Sequence, residues 1–263
     1  MTESRYVLAT NATDAESTRL ALVEEIYDPG TIRRLEALDI RAGSRCLEVG
    51  AGGGSIARWL AERIGPSGHV VAADIDCRFL HDLPPNVEVR QLDIMTGEVE
   101  TEHYDVVHGR AVLTHVPDPP TALGRMAAAL RPGGVLLTEE ADFAPLAFHG
   151  HHDADWATTV SRRVFAGLAS AKAVNAYLGR DLAHRLGEVG LEVHGGEMAG
   201  ELSRGDGRWS RMWALTMEAM APGLVDSGSL TADDATRLLE VCRAAQTVLT
   251  GFLAVSVWAR RPG

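Results

Sequence analysis

A glutamate and four glycines stand close together in the run Cys46-Leu47-Glu48-Val49-Gly50-Ala51-Gly52-Gly53-Gly54-Ser55-Ile56-Ala57. An apolar stretch enters the run and a helical pattern leaves it, so the glycines occupy a strand-to-helix turn. Glycine lets the backbone approach a ligand closely there, and the helix start offers free N–H groups to an anion. Two cofactors compete for such a turn. A dinucleotide fingerprint can be laid on Gly52, Gly54 and Ala57, with Asp74 about 20 residues on for a ribose. Against it stands Glu48, whose carboxylate precedes the first glycine; it repels a pyrophosphate and suits an amine-bearing ligand.

These residues need a scaffold, and the sequence outlines one. Short apolar runs at 46–49, 70–73, 87–89, 104–107 and 135–138 alternate with helical segments, most clearly Ser55–Ile64 and 120–130. That alternation predicts a mostly parallel sheet. Ahead of it, Leu20, Leu22, Val23 and Ile26 have helical spacing, Asp28-Pro29-Gly30 interrupts, and Thr31 can cap a second helix through Leu38. After Ala141 the rhythm lapses into a helical insertion. It resumes with a helix at 180–188, a strand near 191–194, helices at about 206–222 and 231–247, and a last strand at 252–259. The expectation is one α/β domain over 1–263, with N-terminal helices at 1–40, a cofactor core at 41–141, a cap at 142–178 and the rest of a seven-stranded sheet at 179–263.

The pattern Glu48-x-Gly50-x-Gly52-x-Gly54 resembles the first motif of class I S-adenosyl-L-methionine (SAM) methyltransferases. Later segments resemble that family in order and spacing. Val70-Val71-Ala72-Ala73-Asp74-Ile75-Asp76 is similar to its second strand, and Gln91-Leu92-Asp93-Ile94 to its adenine segment. Residues 104–116 are similar to the fourth strand and following loop, and Leu130-Arg131-Pro132-Gly133-Gly134 to the turn before the fifth.

The resemblance implies a Rossmann-like fold, SAM as cofactor, and a set of roles. Asp74 would hold both ribose hydroxyls, Asp93 the exocyclic amine, and Ile75 and Ile94 the adenine faces. Arg110 would hold the cofactor's carboxylate or brace the loop. The small-molecule branch that includes the ubiquinone and menaquinone methyltransferases is the most similar. The Asn/Asp-Pro-Pro-Tyr/Phe tetrad of nucleobase amine methylation is missing, which argues against bases as acceptors. The remaining alternatives are an NAD(P)-dependent oxidoreductase and a SAM-binding protein that does not methylate.

For proton removal the candidate is His115, just beyond the fourth strand, with an ordinary imidazole pKa near 6.5. His149, His151 and His152, with Asp153 and Asp155, have metal-ligand types, but neighbours in a loop rarely converge on one ion, and no metal is expected. His149, His152 and Trp156 remain candidates for substrate contact in the cap. Trp209, Met212, Trp213, Met217 and Met220 follow helical spacing and suit core packing or, at Trp213, the apolar wall of a pocket for an aromatic or polyketide-like acceptor.

Composition narrows the partners. The net charge is −11 over 263 residues, and Lys172 is the only lysine, so neither nucleic acid nor Schiff-base chemistry is favoured. Three scattered cysteines suit a reducing cytoplasm, and neither a signal peptide nor a membrane span is expected. The Asn11-Ala12-Thr13 sequon is irrelevant in that compartment. A small-molecule substrate is expected, and a homodimer is allowed.

Overall fold

A computed structural model describes residues 13–263; residues 1–12, which include Asn11 and Ala12 of the sequon, lie outside the described residues. The chain runs α1 (Thr13–Glu36), β1 (Arg45–Val49), α2 (Ser55–Ile64), β2 (His69–Asp74), β3 (Val87–Gln91), β4 (Tyr104–Arg110), α3 (Pro119–Ala129) and β5 (Leu130–Asp142). It continues with β6 (Ala147–His149), α4 (Ala154–Ser170), α5 (Leu182–Glu188), β7 (Glu192–Arg204), α6 (Arg208–Asp226), α7 (Ala232–Arg243) and β8 (Val248–Arg260).

The sheet has the order β3-β2-β1-β4-β5-β8, with β7 on the far side of β8. Strands β1 to β5 pair in parallel, and β8 is antiparallel to β5, β6 and β7. The expected seven strands are therefore eight. Pairing explains the extra one: β5 occupies residues 253–260 of β8, and the short β6 continues the same row against residues 248–250. The turn expected before the fifth strand lies within β5, where the partner of Tyr104 is Leu130 and that of Val106 is Val135.

The central strands are buried on both faces, Leu47, Val71, Val107 and Leu136 on one and Cys46, Val70, Val106 and Val135 on the other, which is why they read as continuous apolar runs. Helix α2 buries Ile56, Ala57, Leu60, Ala61 and Ile64 against one face. Asp118 caps α3 by accepting from Thr121 N, and Pro119 and Pro120 occupy its first turn, where their missing N–H groups cost least.

The break expected at Asp28-Pro29-Gly30 does not occur, because α1 continues through Pro29. Proline removes only the bond that would reach back one turn, and two contacts hold the helix across it. Asp28 takes a 2.8 Å ion pair from Arg110, and Thr31, expected as a cap, lies inside the helix with its hydroxyl on Glu139. The cap is also more than a helical insertion: β6 precedes α4, whose Val160, Val164 and Phe165 pack with α6 and α7 in one apolar cluster.

Candidate active site

A cavity of about 370 Å³ opens at the carboxyl ends of β1, β2 and β4, the position where open α/β sheets bind ligands. Its floor is the Gly-rich turn. Gly50 has φ +71°, and a Cβ there would lie 2.5 Å from Val112 Cγ2, so only glycine fits without displacing the loop after β4. The turn's amides face inward. Gly50 N and Ala51 N donate to Ala73 O, Gly54 N donates to Ala51 O, and Gly52 N donates to Asp74 Oδ2 at 2.9 Å.

Asp74 also accepts from Asp76 N at 2.9 Å. Burial raises its pKa, opposed by those backbone bonds. Glu24 reaches over the turn from α1, with Oε1 2.3 Å from where a Cβ of Gly53 would stand. A turn whose Gly50, Ala51, Gly52 and Gly54 amides are engaged and whose flanks are Glu24, Glu48 and Asp74 suits hydroxyls and cations better than a pyrophosphate.

Beneath the turn lies a buried charged chain. Glu48 and His108 pair across β1 and β4, and His108 Nδ1 is 3.6 Å from Glu48 Oε1, an ion-pair separation too long for a hydrogen bond. On the other side His108 Nε2 lies 3.4 Å from Glu139 Oε2. Glu139 also accepts from Thr31 Oγ1 at 2.5 Å and from Arg34 Nη1 and Ser256 Oγ, both at 2.7 Å. Burial alone would lower the His108 pKa, but the bonds and charges of Glu139 and Glu48 raise it. Burial likewise pushes Glu139 up, and His108, with Thr31 and Arg110, outweighs it and holds the carboxyl at about 2. The two flanking acids therefore favour the protonated form of His108 against the cost of burying it.

Adjacent residues of a strand face opposite ways, and Glu140 points to the other side. Its oxygens accept from Val112 N, Leu113 N, Thr114 N and Thr114 Oγ1 at 2.7–3.1 Å. Burial raises its pKa to about 7 against those bonds. Asn175 secures the same loop from the cap: its side chain donates to Leu113 O at 3.0 Å and Val116 O at 2.9 Å. Ala111 starts the loop in a left-handed conformation, φ 54°, so the segment carrying His115 is strained and doubly tethered. His115 lines the cavity, and burial, with the charge of Arg19, lowers its pKa to about 4. It is neutral at pH 7, but the ionisation expected near 6.5 moves well into acid.

One stretch of the cavity wall is aromatic. Phe143 stacks on Phe165 with centroids 4.3 Å apart and lies 4.9 Å from Phe252 and 5.8 Å from Trp213. Tyr27 stacks on Phe252 at 6.1 Å. Trp213 is 2% exposed, with its Nε1 unpartnered among the described residues. Met212 and Met220 complete this wall from α6.

Comparison with known proteins agrees with this geometry. Residues 23–195, more than half of the chain, match the family model described as a methyltransferase domain. The chain belongs to this methyltransferase family. A relative called methyltransferase str2, from Strobilurus tenacellus, is 32% identical over 149 residues, 56% of this chain and 53% of the relative. A ubiquinone biosynthesis O-methyltransferase from Marinobacter nauticus is 35% identical over 128 residues, 44% of this chain and 52% of the relative. The chain spans about half the length of the curated relatives it matches. A Bacillus halodurans crystal structure described as a methyltransferase superposes with TM-score 0.61 at 18% identity, covering 88% of this chain and 98% of the other, which shows the shared fold.

In this methyltransferase-family chain the site residues fit SAM. Glu48 Oε2 is buried without a hydrogen-bond partner among the described residues, as an acceptor awaiting an ammonium donor would be. Glu48, Gly50, Gly52, Asp74, Ile75, Asp93 and Ile94 line one cavity, and Gly54, in left-handed backbone, starts α2 behind it. The oxidoreductase alternative gives way to the family match and to the acids that flank the turn.

Other sequence candidates stand elsewhere or are already engaged. Arg110 lines the cavity, but its guanidinium is bound to Asp28 and Thr31 at 2.8 and 2.9 Å, so it braces α1. Of the four substrate candidates only Trp213 reaches the cavity. His149 is exposed on β6, which pairs with β8. His152 is exposed 3.2 Å from Asp153, and Trp156 lies under Arg237, 4.2 Å from its ring centroid. His151, His152 and Asp153 have clustered ligand atoms, but Asp153 is bound by Arg237.

Several functional residues escaped sequence reasoning: Tyr27, His108, Glu139, Glu140, Asn175 and Phe252. Glu139-Glu140 closing an apolar strand was a readable signal, since adjacent acids in a buried strand demand partners. Asn175 carried none.

Proposed function

We propose that the protein is a SAM-dependent methyltransferase whose acceptor is a small molecule with an apolar, ring-like body. One observation carries this reading: a single cavity joins the acid-lined turn to the aromatic wall, and His115 lines it too. Asp74 would bind the ribose hydroxyls, Asp93 the adenine amine, Ile75 and Ile94 the ring faces, and Glu48 the amino group, with Gly50, Gly52 and Gly54 shaping the turn. When bound, SAM supplies a methyl group on a sulfonium. The chain's own work is to align the acceptor, exclude water with the aromatic wall, and take a proton on neutral His115 where the acceptor carries one.

The same reading takes 1–263 as one methyltransferase domain working in cytoplasmic small-molecule metabolism. Free cysteines at 46, 77 and 242 support that compartment, and no helix of the described residues is long and apolar enough to cross a membrane. The charge of −11 disfavours nucleic acid. A homodimer finds support in the edge strand β7, where Met198 is 67% and Leu202 74% exposed.

Thermal unfolding tests the cofactor. A ligand of the folded state present at a hundredfold its Kd adds about 2.7 kcal/mol, so S-adenosylhomocysteine should raise the melting temperature and NADH should leave it unchanged. Incubation with SAM and a panel of hydroxylated aromatics should then release S-adenosylhomocysteine with a methylated product. Binding without turnover across such a panel would favour the non-methylating reading.

A further inference from the structure

Within the aromatic wall the polar groups are few, and one is oriented for work. Tyr27 Oη accepts the indole N–H of Trp209 at 2.9 Å. A phenol that accepts one bond still has its own proton to give, and no described residue receives it. The ring is fixed from two sides, by the Trp209 bond and by stacking on Phe252. Burial pushes the Tyr27 phenol above its usual range, with the charge of Glu201 adding to the rise and Arg110 opposing it, so it stays a donor at working pH. Tyr27 lines the cavity together with Phe143, Phe165 and Phe252, which carry no donor, and with Trp213, whose buried Nε1 is a second donor on this wall; Tyr27 differs in that its ring is anchored by the Trp209 bond with the hydroxyl proton left to give.

We infer that Tyr27 is the specificity-determining residue of the aromatic chamber, donating its hydroxyl proton to an oxygen carried by an otherwise apolar ring system. The inference rests on the proposed reading of the cavity as an acceptor site and sharpens its substrate class: oxygenated rings, ketones or phenols, over bare hydrocarbons. The reason is asymmetric. A hydrocarbon entering the chamber leaves the Tyr27 proton buried without a partner, whereas an oxygenated ring of the same shape satisfies it. Tyr27 comes from α1, so recognition of the acceptor depends on the helix that Arg110 and Glu139 hold in place.

The probe pair is 1-tetralone and tetralin, which share a ring skeleton and differ in one carbonyl oxygen. Calorimetric titration of the wild-type protein, run with and without S-adenosylhomocysteine, should show 1-tetralone binding about tenfold more tightly than tetralin. Tyr27→Phe keeps the ring and removes the donor; it should cut that preference to under twofold, with tetralin bound no more weakly than by wild type because no hydroxyl is left unpartnered. Equal binding of the two probes by wild type overturns the inference whether or not the variant folds. So does a preference that survives in Tyr27→Phe. Failure of the methyltransferase reading shows separately, as absence of S-adenosylhomocysteine binding, because the probes are titrated in its absence as well.

Discussion

At one end of the cavity most of the polar groups come from residues 48 to 93, carried by three neighbouring strands and the turns that follow them, with Glu24 added from α1. At the other, the rings come from Tyr27, Phe143, Phe165, Trp213 and Phe252, on five separate elements and connections. The first end is held by short hydrogen bonds between neighbouring strand ends, such as Gly52 N to the Asp74 side chain, within one segment of the chain. The second is held by packing between helices far apart in the chain, so each ring is both a wall of the site and a part of the core. Loss of one group should therefore cost the first end its ligand and the second end its fold.

The junction gives the largest expected effect. If neutral His115 takes the acceptor's proton, His115→Ala should cut turnover by roughly 10²–10⁴ with cofactor affinity intact. Its acid limb should lie near pH 4, where burial places this imidazole, and vanish in the variant. The same depression links to folding. Between pH 4 and 6.5 the unfolded imidazole is protonated and the folded one is not, so folding releases a proton and stability from this group rises with pH, complete above 6.5 and lost as pH falls through about 4. Denaturant titrations at pH 4.5 and 7 should show a smaller rise in His115→Ala than in wild type. A turnover loss below tenfold with an unchanged pH profile would remove His115 from the chemistry.

Next comes the contrast between the two ends. Trp213→Ala empties a fully packed site and should cost roughly 3–5 kcal/mol of stability while the folded fraction still binds S-adenosylhomocysteine. Asp74→Asn should do the reverse. Its loss of charge should weaken S-adenosylhomocysteine binding at least tenfold, about 1.4 kcal/mol, while the ligand-free protein loses about 1–3 kcal/mol, less than in Trp213→Ala, because the amide nitrogen cannot accept from Gly52 N or Asp76 N. If Trp213→Ala mainly weakens the cofactor, or Asp74→Asn mainly unfolds the chain, the contrast is broken. The smallest effect belongs to the exposed cap: His149→Ala and His152→Ala should each change stability by no more than about 0.5 kcal/mol and leave turnover within twofold.

Two buried histidines show where local reading stops. Both follow from residues near β4, yet His108 is raised by carboxylates at either side and His115 is lowered by burial and Arg19. Nothing in the segment 104–116 distinguishes them, because Glu48, Glu139 and Arg19 arrive from β1, β5 and α1. His149 and His152 attracted attention as a cluster, and β6 pairing turned that cluster outward.

The amino-acid sequence by itself determined the sheet core, the Gly-rich turn and the acids at strand ends. Apolar runs, turn residues and helix caps act over a few residues, so their physics is complete within the segment that carries them. Helix α1 running through Pro29, the outward face of the cap, the buried His108 held between Glu48 and Glu139, and the aromatic chamber were decided only in the tertiary structure. Each depends on a partner more than fifty residues away in the chain, such as Asp28 with Arg110 or Asn175 with Val116. A proline's cost, a histidine's charge and a ring's exposure are set by what packs against them, and that is a property of the folded surroundings.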